Sequence, residues 1–245
     1  MYDRRLTVTK ALIIINVVVF MVGLMVQREA MLGISFPQAP KTSVFEITCA
    51  YSWFTCFLEG QFWRMVTYQF VHANFGHILF NMWALFFFGP AVENAMGPRR
   101  FLLFYLVCGI AGALFSSLLA GMGLYTSIPD TAQNEFICNQ LATFAGFEGY
   151  VQCWQMIPLV GASASIYGVM VACAFMYPDV QISLLFPPVT LRLRTFALII
   201  IGIASATILF NLGNAGGEAG HLGGIIMGAI IMAAWKYRSR YNQPW

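Results

Sequence analysis

The sequence has few charged residues and few histidines. Only 9% of its 245 residues are Asp, Glu, Lys or Arg, whereas 59% are hydrophobic, and the mean hydropathy is +0.72. This balance excludes an ordinary soluble globular domain and indicates a protein of the lipid bilayer. No repeat, low-complexity tract or long polar linker divides the chain, so we expect a single domain over residues 1–245.

Six apolar segments predict transmembrane helices, because about 20 apolar residues span the ~30 Å hydrocarbon core. The predicted spans cover residues 11–26, 77–96, 101–122, 159–177, 195–212 and 221–235. Nothing at the N-terminus resembles a cleavable signal, so we interpret the first segment as a retained helix. The expected fold is an all-α membrane protein with a six-helix bundle.

The basic residues predict the orientation. Ten of the 13 Lys and Arg residues lie before the first span or after the second, fourth and sixth, while seven of the ten acidic residues lie on the other side. Basic loops stay in the cytoplasm, so both termini are expected to be cytoplasmic. The net charge of +3 follows from this distribution and requires no nucleic-acid partner.

Polar residues occur near the outer starts of three predicted spans. Ser163 lies in the stretch GASASIYG, about one turn into the fourth span, His221 begins the sixth, and His77 and Asn81 lie in the first two turns of the second. At ~1.5 Å rise per residue, these groups lie roughly 5 to 10 Å below the helix starts. Ionisable groups at membrane depth indicate a functional site.

A serine, an imidazole and further donors suggest nucleophilic catalysis. A serine hydroxyl needs a base to take its proton, and His221 is the candidate. His77 and Asn81, four residues apart on one helix face, are candidate donors to an oxyanion. The alternatives are close helix packing for the serine stretch and structural roles for the histidines. Ser165 is a rival nucleophile, although it is turned about 200° around the helix from Ser163.

No aspartate lies within a predicted span, which favours a Ser–His dyad. Asp3, Asp130 and Asp179 all lie outside the spans. Glu218, three residues before His221, has the spacing to orient the imidazole, but we expect it to be a solvated charge in a loop. That loop, NLGNAGGEAG, is rich in glycine and is expected to act as a movable cap together with the fifth span.

Four motifs carry a resemblance to a known family. In order they are WRMVTYQFVHANFGHILFN, FFFGPAVENAMG, GASASIYG and GHLGG. From Trp63 to Gly228 the chain resembles the rhomboid intramembrane serine proteases. The resemblance implies that Ser163 is the nucleophile, His221 the base, and His77 and Asn81 the oxyanion donors. It also implies that Tyr167 packs on the imidazole, that His72 completes the histidine pattern of the second span, and that Trp63, Arg64 and Glu93 are structural.

One position departs from the family pattern. Ala164 stands where the family has a second glycine after the serine, and its methyl group would separate Ser163 from His221 unless the packing adjusts. Ala164, Gly168 and Ala172 still form a row of small residues, matched by Gly224 and Gly228. The alternative function is therefore a rhomboid-like pseudoprotease that binds membrane helices without cutting them. A transporter or channel is disfavoured, because no inverted repeat is present.

The remaining expectations concern loops and partners. The first outer loop is rich in aromatic residues, as is typical of a membrane interface. Cys49 and Cys56 in that loop, and Cys138 and Cys153 in the next, are expected to form one disulfide within each loop. No spacing of thiols and histidines indicates a metal, and no cofactor is expected. We expect a multi-pass protein of the bacterial inner membrane, opening to the outer side and acting on transmembrane protein substrates.

Overall fold

The computed structural model describes residues 6–28, 42–125, 132–144, 146, 149–150, 152–183 and 188–241. The helices are α1 (Val8–Met25), α2 (Val44–Cys49), α3 (Arg64–Thr67), α4 (Phe75–Met96), α5 (Pro98–Gly121), α6 (Ala132–Phe144), α7 (Ser163–Met176), α8 (Leu193–Leu209) and α9 (Ala215–Tyr241). A π-helical turn covers Phe54–Leu58, and 3₁₀ turns cover Tyr68–Phe70 and Cys153–Met156. Two antiparallel pairs join β1 (Gln27–Arg28) to β2 (Thr42–Ser43) and β3 (Gln181–Ser183) to β4 (Thr190–Arg192).

Among the described residues, four helices are long and apolar enough to cross a membrane. They are α1, α4, α5 and the first 23 residues of α9. The other two apolar helices, α7 and α8, are shorter, at 14 and 17 residues. The protein is therefore an integral, multi-pass membrane protein, while the count of six spans stays a prediction. Arg4, Arg5, Glu29, Lys41, Asp130 and Glu148, which contributed to the predicted orientation, lie outside the described residues.

Two of the predicted helix starts are wrong. The predicted span 159–177 begins only at Ser163, because Leu159 is extended and its backbone N–H and C=O pair with those of Tyr51. Ser163 is therefore the first residue of α7 and does not lie one turn inside it. The predicted span 221–235 begins at Ala215, because Asn214 Oδ1 accepts the backbone N–H of Gly217 at 3.3 Å and caps the helix. His221 consequently lies in the second turn of α9.

The core of the bundle is α7, in which ten of 14 residues are buried. Its partner α9 approaches it backbone to backbone. A methyl group placed on Gly224 would collide with the main chain of Ala164, and one on Gly228 would lie 2.9 Å from the main chain of Gly168. This contact confirms the two matched rows of small residues, which let membrane helices pack closely.

The start of α1 is fixed by a side chain of α4. Glu93 is buried, and its carboxylate accepts the backbone N–H of Val8 at 2.7 Å, the backbone N–H of Thr9 at 2.8 Å and the Thr9 hydroxyl at 2.6 Å. The first backbone donors of a helix have no intrahelical acceptor, so a carboxylate from a neighbouring helix satisfies them. Glu93 thus joins the start of α1 to the last turns of α4.

The segment between α1 and α4 and the segment between α5 and α7 are held by aromatic contacts and a disulfide. Trp53 packs on Phe57 and on Trp154, with ring centroids 4.2 and 5.9 Å apart. The expected disulfide between Cys138 and Cys153 is present and joins α6 to the Cys153–Met156 turn.

The expected disulfide between Cys49 and Cys56 is wrong, because both residues are free thiols. Cys56 is fully buried in a cluster with Tyr51, Tyr68 and Ala113, whereas Cys49 ends α2 beside the hydroxyl of Thr48. Burial raises the pKa of the Cys56 thiol, since the thiolate loses its hydration. Cys56 therefore behaves as a small packing residue.

Candidate active site

A pocket of about 640 Å³ opens where α4, α7 and the start of α9 meet. The chain segment just before α7 forms another wall, through Ile157, Pro158, Leu159 and Val160. Residues of the pocket wall include all four of the proposed catalytic and oxyanion residues and the proposed aromatic partner of the base: His77, Asn81, Ser163, Tyr167 and His221. The structure therefore gathers side chains that are up to 144 positions apart in the sequence.

Ser163 is placed by a tight turn at Gly161. The φ angle of Gly161 is +118°, and a methyl group there would lie 2.6 Å from the imidazole of His77. Only glycine therefore combines this backbone conformation with the approach of the imidazole. The turn brings His77 next to the main chain that leads into the half-buried Ser163.

Ser165 does not compete for the pocket. It is fully buried, and its hydroxyl donates to Gln69 Oε1 at 2.9 Å. The amide of Gln69 in turn donates to the backbone carbonyls of Met65 and Leu106. Ser165 thus points toward α3 and α5, as its 200° offset from Ser163 predicted.

The ring of His221 is held by two contacts. It stacks on Tyr167 of α7 with centroids 4.1 Å apart and an interplanar angle of 8°. Its Nδ1 lies 3.0 Å from Glu218 Oε2, and the two side chains are only 14% and 19% exposed. The first contact agrees with the expectation for Tyr167. The expectation that Glu218 is a solvated loop charge is wrong, because Glu218 lies in the first turn of α9 and contacts the imidazole.

Asn81 has the properties of an unused donor. It is 8% exposed, and its Nδ2 is buried without a hydrogen-bond partner among the described residues. A buried donor without an acceptor carries a desolvation cost of about 1–3 kcal/mol. An anion formed in the pocket would give this N–H group an acceptor. Among the described residues, no hydrogen bond joins Ser163 to His221 in this arrangement.

His72 lies behind His77 and does not line the pocket. It is 4% exposed, and its ring meets that of His77 edge to face with centroids 5.0 Å apart. Burial, with a smaller contribution from His77, lowers the pKa of His72 to about 3, so the ring is neutral near pH 7. A neutral His72 supports the position of His77 without adding charge.

The methyl group of Ala164 has a matching space on α5. A methyl group added to Gly112 would lie 2.5 Å from Ala164 Cβ and 2.7 Å from the carbonyl oxygen of Gly220. The side chain of Ala164 therefore packs over Gly112, while the contact of Ala164 with α9 is made through the main chain. The substitution that departs from the family pattern is accommodated by α5 and does not separate α7 from α9.

Within the ranges that the structure describes, no three His, Cys, Asp or Glu side chains cluster in a way that could hold a metal ion. The polar side chains that line the pocket are instead two hydroxyls, two imidazoles and three amides, and the carboxylate of Glu218 contacts one of the imidazoles. This set supports proton transfer and hydrogen bonding to an anion.

Comparison with known proteins defines the class. The "Rhomboid domain" profile matches residues 59–238, nearly three quarters of the chain. The chain therefore belongs to the rhomboid family, as its motifs predicted.

Some relatives in that family are named as proteases, and one is named as inactive. Rhomboid protease AarA of Providencia stuartii is 29% identical over 180 residues, covering 73% of this chain and 57% of the relative. Rhomboid protease GluP of Bacillus subtilis is 28% identical over 176 residues, covering 72% and 26%. A shorter match, 32% identical over 79 residues and covering 32% and 22%, is to a protein of Arabidopsis thaliana named Inactive RHOMBOID-like protein 8. The chain spans little more than half of the length of the first of these relatives and about a quarter of the length of the other two.

Proposed function

We propose that this protein is an intramembrane serine endopeptidase that cleaves a peptide bond in or near the transmembrane segment of a membrane protein. The observation that carries the proposal is the convergence of Ser163, His221, His77 and Asn81 on one pocket. The candidate nucleophile, base and oxyanion donors of acyl transfer come from three different helices, and membership of a family with members named as proteases supports the proposal.

Each residue has a defined chemical role in this proposal. Ser163 Oγ attacks the scissile carbonyl while His221 takes its proton, and His221 then returns that proton to the leaving amine. His77 and Asn81 donate hydrogen bonds to the oxyanion of the tetrahedral intermediate. Water enters through the same pocket and hydrolyses the acyl-enzyme. A hydrogen bond between the Ser163 hydroxyl and the His221 imidazole is expected to form when substrate binds, since such catalytic contacts often tighten only then.

Labelling with a fluorophosphonate tests this function. The probe reacts covalently with an activated serine, so the full-length protein should be labelled, and Ser163→Ala and His221→Ala should not. Ser165→Ala is the matched control, because Ser165 lies on the same helix but bonds to Gln69, and it should keep the label. Label that remains on Ser163→Ala would refute the assignment of the nucleophile.

The second candidate is a pseudoprotease that binds membrane helices without cutting them. A relative that is named inactive favours this candidate, as does Ala164 at a position of family glycine. The packing of Ala164 over Gly112 argues against it, because the methyl group does not intervene between α7 and α9. Wild-type protein that stays unlabelled at all probe concentrations, yet binds a transmembrane peptide, would favour the pseudoprotease.

The proposed setting is a single membrane domain over residues 1–245 with six spans and both termini in the cytoplasm of a bacterial cell. The disulfide supports an oxidising environment at the end of the bundle where the pocket opens. A membrane-impermeant maleimide tests the orientation. It should label Glu59→Cys in intact cells, and it should label Arg99→Cys, at the opposite end of the bundle, only after lysis. The reverse pattern would refute the orientation.

We further propose that a substrate helix enters between α4 and α8, with the stretch NLGNAGGEAG, whose last six residues form the start of α9, as the cap. Phe88 of α4 and Phe196 of α8 stack with centroids 6.2 Å apart. A bis-maleimide that joins Phe88→Cys to Phe196→Cys should then block cleavage of a membrane substrate. Each single variant treated with the same reagent is the control. Full activity of the cross-linked protein would refute this route of entry.

A further inference from the structure

The contact between Glu218 and His221 has no counterpart in a Ser–His dyad. Glu218 Oε2 lies 3.0 Å from His221 Nδ1, on the same helix and three residues earlier. We propose that Glu218 is a positioning residue that orients His221 and compensates its charge during the reaction, which makes the site functionally a Ser–His–Glu triad. This inference rests on the proposed proteolytic function.

The local sequence builds this contact into α9. Asn214 caps the helix through its side chain, and its backbone carbonyl accepts the N–H of Glu218 at 3.0 Å. Helical structure therefore starts at Ala215, and Glu218 and His221 fall at positions i and i+3 on one helix face. Had the helix started at His221, Glu218 would have been free to turn toward solvent.

The two contacts of the imidazole constrain different motions. Stacking on Tyr167 fixes the plane of the ring, and the hydrogen bond to Glu218 fixes its rotation within that plane. A carboxylate only accepts hydrogen bonds, so the proton of the neutral ring must lie on Nδ1. Nε2 then keeps its lone pair, which is the state that a general base requires. Glu218 thus selects the reactive tautomer of His221.

The surroundings of the pair make the carboxylate effective. Both side chains are more than four-fifths buried, so water screens their interaction less than it screens a surface ion pair. The other titratable groups beside the imidazole are Tyr167, stacked on it, and His77, across the pocket. Neither carries a negative charge near pH 7. When the imidazolium forms as Ser163 attacks, Glu218 is therefore the anion in contact with it among the described residues.

The first test does not depend on activity. Nitrogen-15 NMR of the full-length protein in detergent micelles, labelled at histidine, reports which ring nitrogen carries the proton. The three histidines are assigned by comparison with His221→Ala and His72→Phe. Wild type should show His221 protonated on Nδ1, and Glu218→Ala should show a mixture of tautomers. Glu135→Gln, which removes an acidic charge from α6 in the outer loop, should match wild type. An unchanged His221 signal in Glu218→Ala would overturn the proposal.

The second test is kinetic. Glu218→Ala should lower kcat for a transmembrane substrate and the rate of fluorophosphonate labelling by about 10- to 100-fold, the range supplied by one hydrogen bond to a charged group, while KM stays constant. Glu218→Asp should recover part of the lost rate, because it restores a carboxylate. A change in KM alone, or equal rates in the alanine and aspartate variants, would contradict the proposal.

The two tests also separate this inference from the proposed function. If wild type shows the Nδ1 tautomer and Glu218→Ala loses it, but no variant reacts with the probe, the positioning contact is supported and the protease assignment fails. If wild type is labelled at Ser163 and Glu218→Ala is labelled equally fast, the protease assignment stands and the role of Glu218 is refuted.

Discussion

The carboxylate of Glu93 is expected to contribute strongly to the stability of the bundle. It accepts three hydrogen bonds from the first turn of α1, at 2.6 to 2.8 Å, and is 7% exposed. A hydrogen bond to a charged group contributes about 1.5–3 kcal/mol, and breaking a buried charged network costs about 3–5 kcal/mol. The three bonds share one carboxylate, so their contributions do not simply add.

We therefore expect Glu93→Ala to lower the free energy of unfolding by about 3 kcal/mol. Glu93→Gln should lower it by about half as much, because the amide keeps one acceptor oxygen but presents an NH₂ group to a remaining donor. Equilibrium unfolding in mixed detergent micelles measures both values. Glu135→Gln is the control and should change the free energy by less than about 0.5 kcal/mol.

Fluorophosphonate labelling at low temperature should persist in both Glu93 variants, because Glu93 lies at the far end of α4 from the pocket. An alanine variant as stable as wild type would show that the carboxylate does not hold α1. Loss of labelling in a variant that remains folded would show instead that α1 is coupled to the site.

Three further results are expected. Asn81→Ala should reduce kcat by about 10²- to 10³-fold with little change in KM, as for the loss of an oxyanion donor, and an unchanged kcat would remove Asn81 from that role. Because the pKa of His72 is lowered from 6.5 to about 3, the folded state resists protonation, so stability should be complete above pH 6.5. His72 should contribute a fall of up to roughly 1.4 kcal/mol per pH unit between 6.5 and 3, so the slope of unfolding midpoints should be shallower by this amount in His72→Phe than in wild type. Gly112→Ala should destabilise the protein by about 1–3 kcal/mol and slow serine labelling, because the new methyl group meets Ala164 Cβ. Adding Ala164→Gly to this variant should restore part of the stability and part of the labelling rate. Strictly additive effects of the two substitutions would show that the two positions do not interact.

Much of the candidate site follows from the sequence because it depends on helical periodicity. His77 and Asn81 are four residues apart, and Ser163 and Ser165 are two apart, so their relative faces are fixed once a helix is assigned. The structure agrees at each of these positions. Periodicity within one helix does not specify which helices pack together. That Ser163 and His221 lie in one pocket could therefore be predicted only from the family motifs.

The contact of Glu218 with His221 was weighed but not expected, because the predicted sixth span begins only at His221, whereas α9 begins at Ala215. The glycines of NLGNAGGEAG indicate a loop, but Asn214 caps a helix that packs on α5 and α7, and this packing outweighs the low helix propensity of glycine. The sequence signal for this contact was Asn214, a residue typical of helix caps, followed by Glu218 and His221 three residues apart. Likewise, the spacing of Cys49 and Cys56 does not specify which thiols meet in space, and the structure places Cys56 in a buried cluster with Tyr51, Tyr68 and Ala113.

The shortness of α7 bears on how water, the second substrate of the proposed hydrolysis, reaches the site. At 14 residues it is roughly 21 Å long, about 9 Å less than the hydrocarbon thickness of a typical membrane. In the proposed six-span arrangement, the helix would therefore end at Ser163 below one membrane surface, where the first backbone N–H groups of a helix need hydrogen-bonding partners. Water would meet that need, and it would reach the serine through the pocket without any channel crossing the protein.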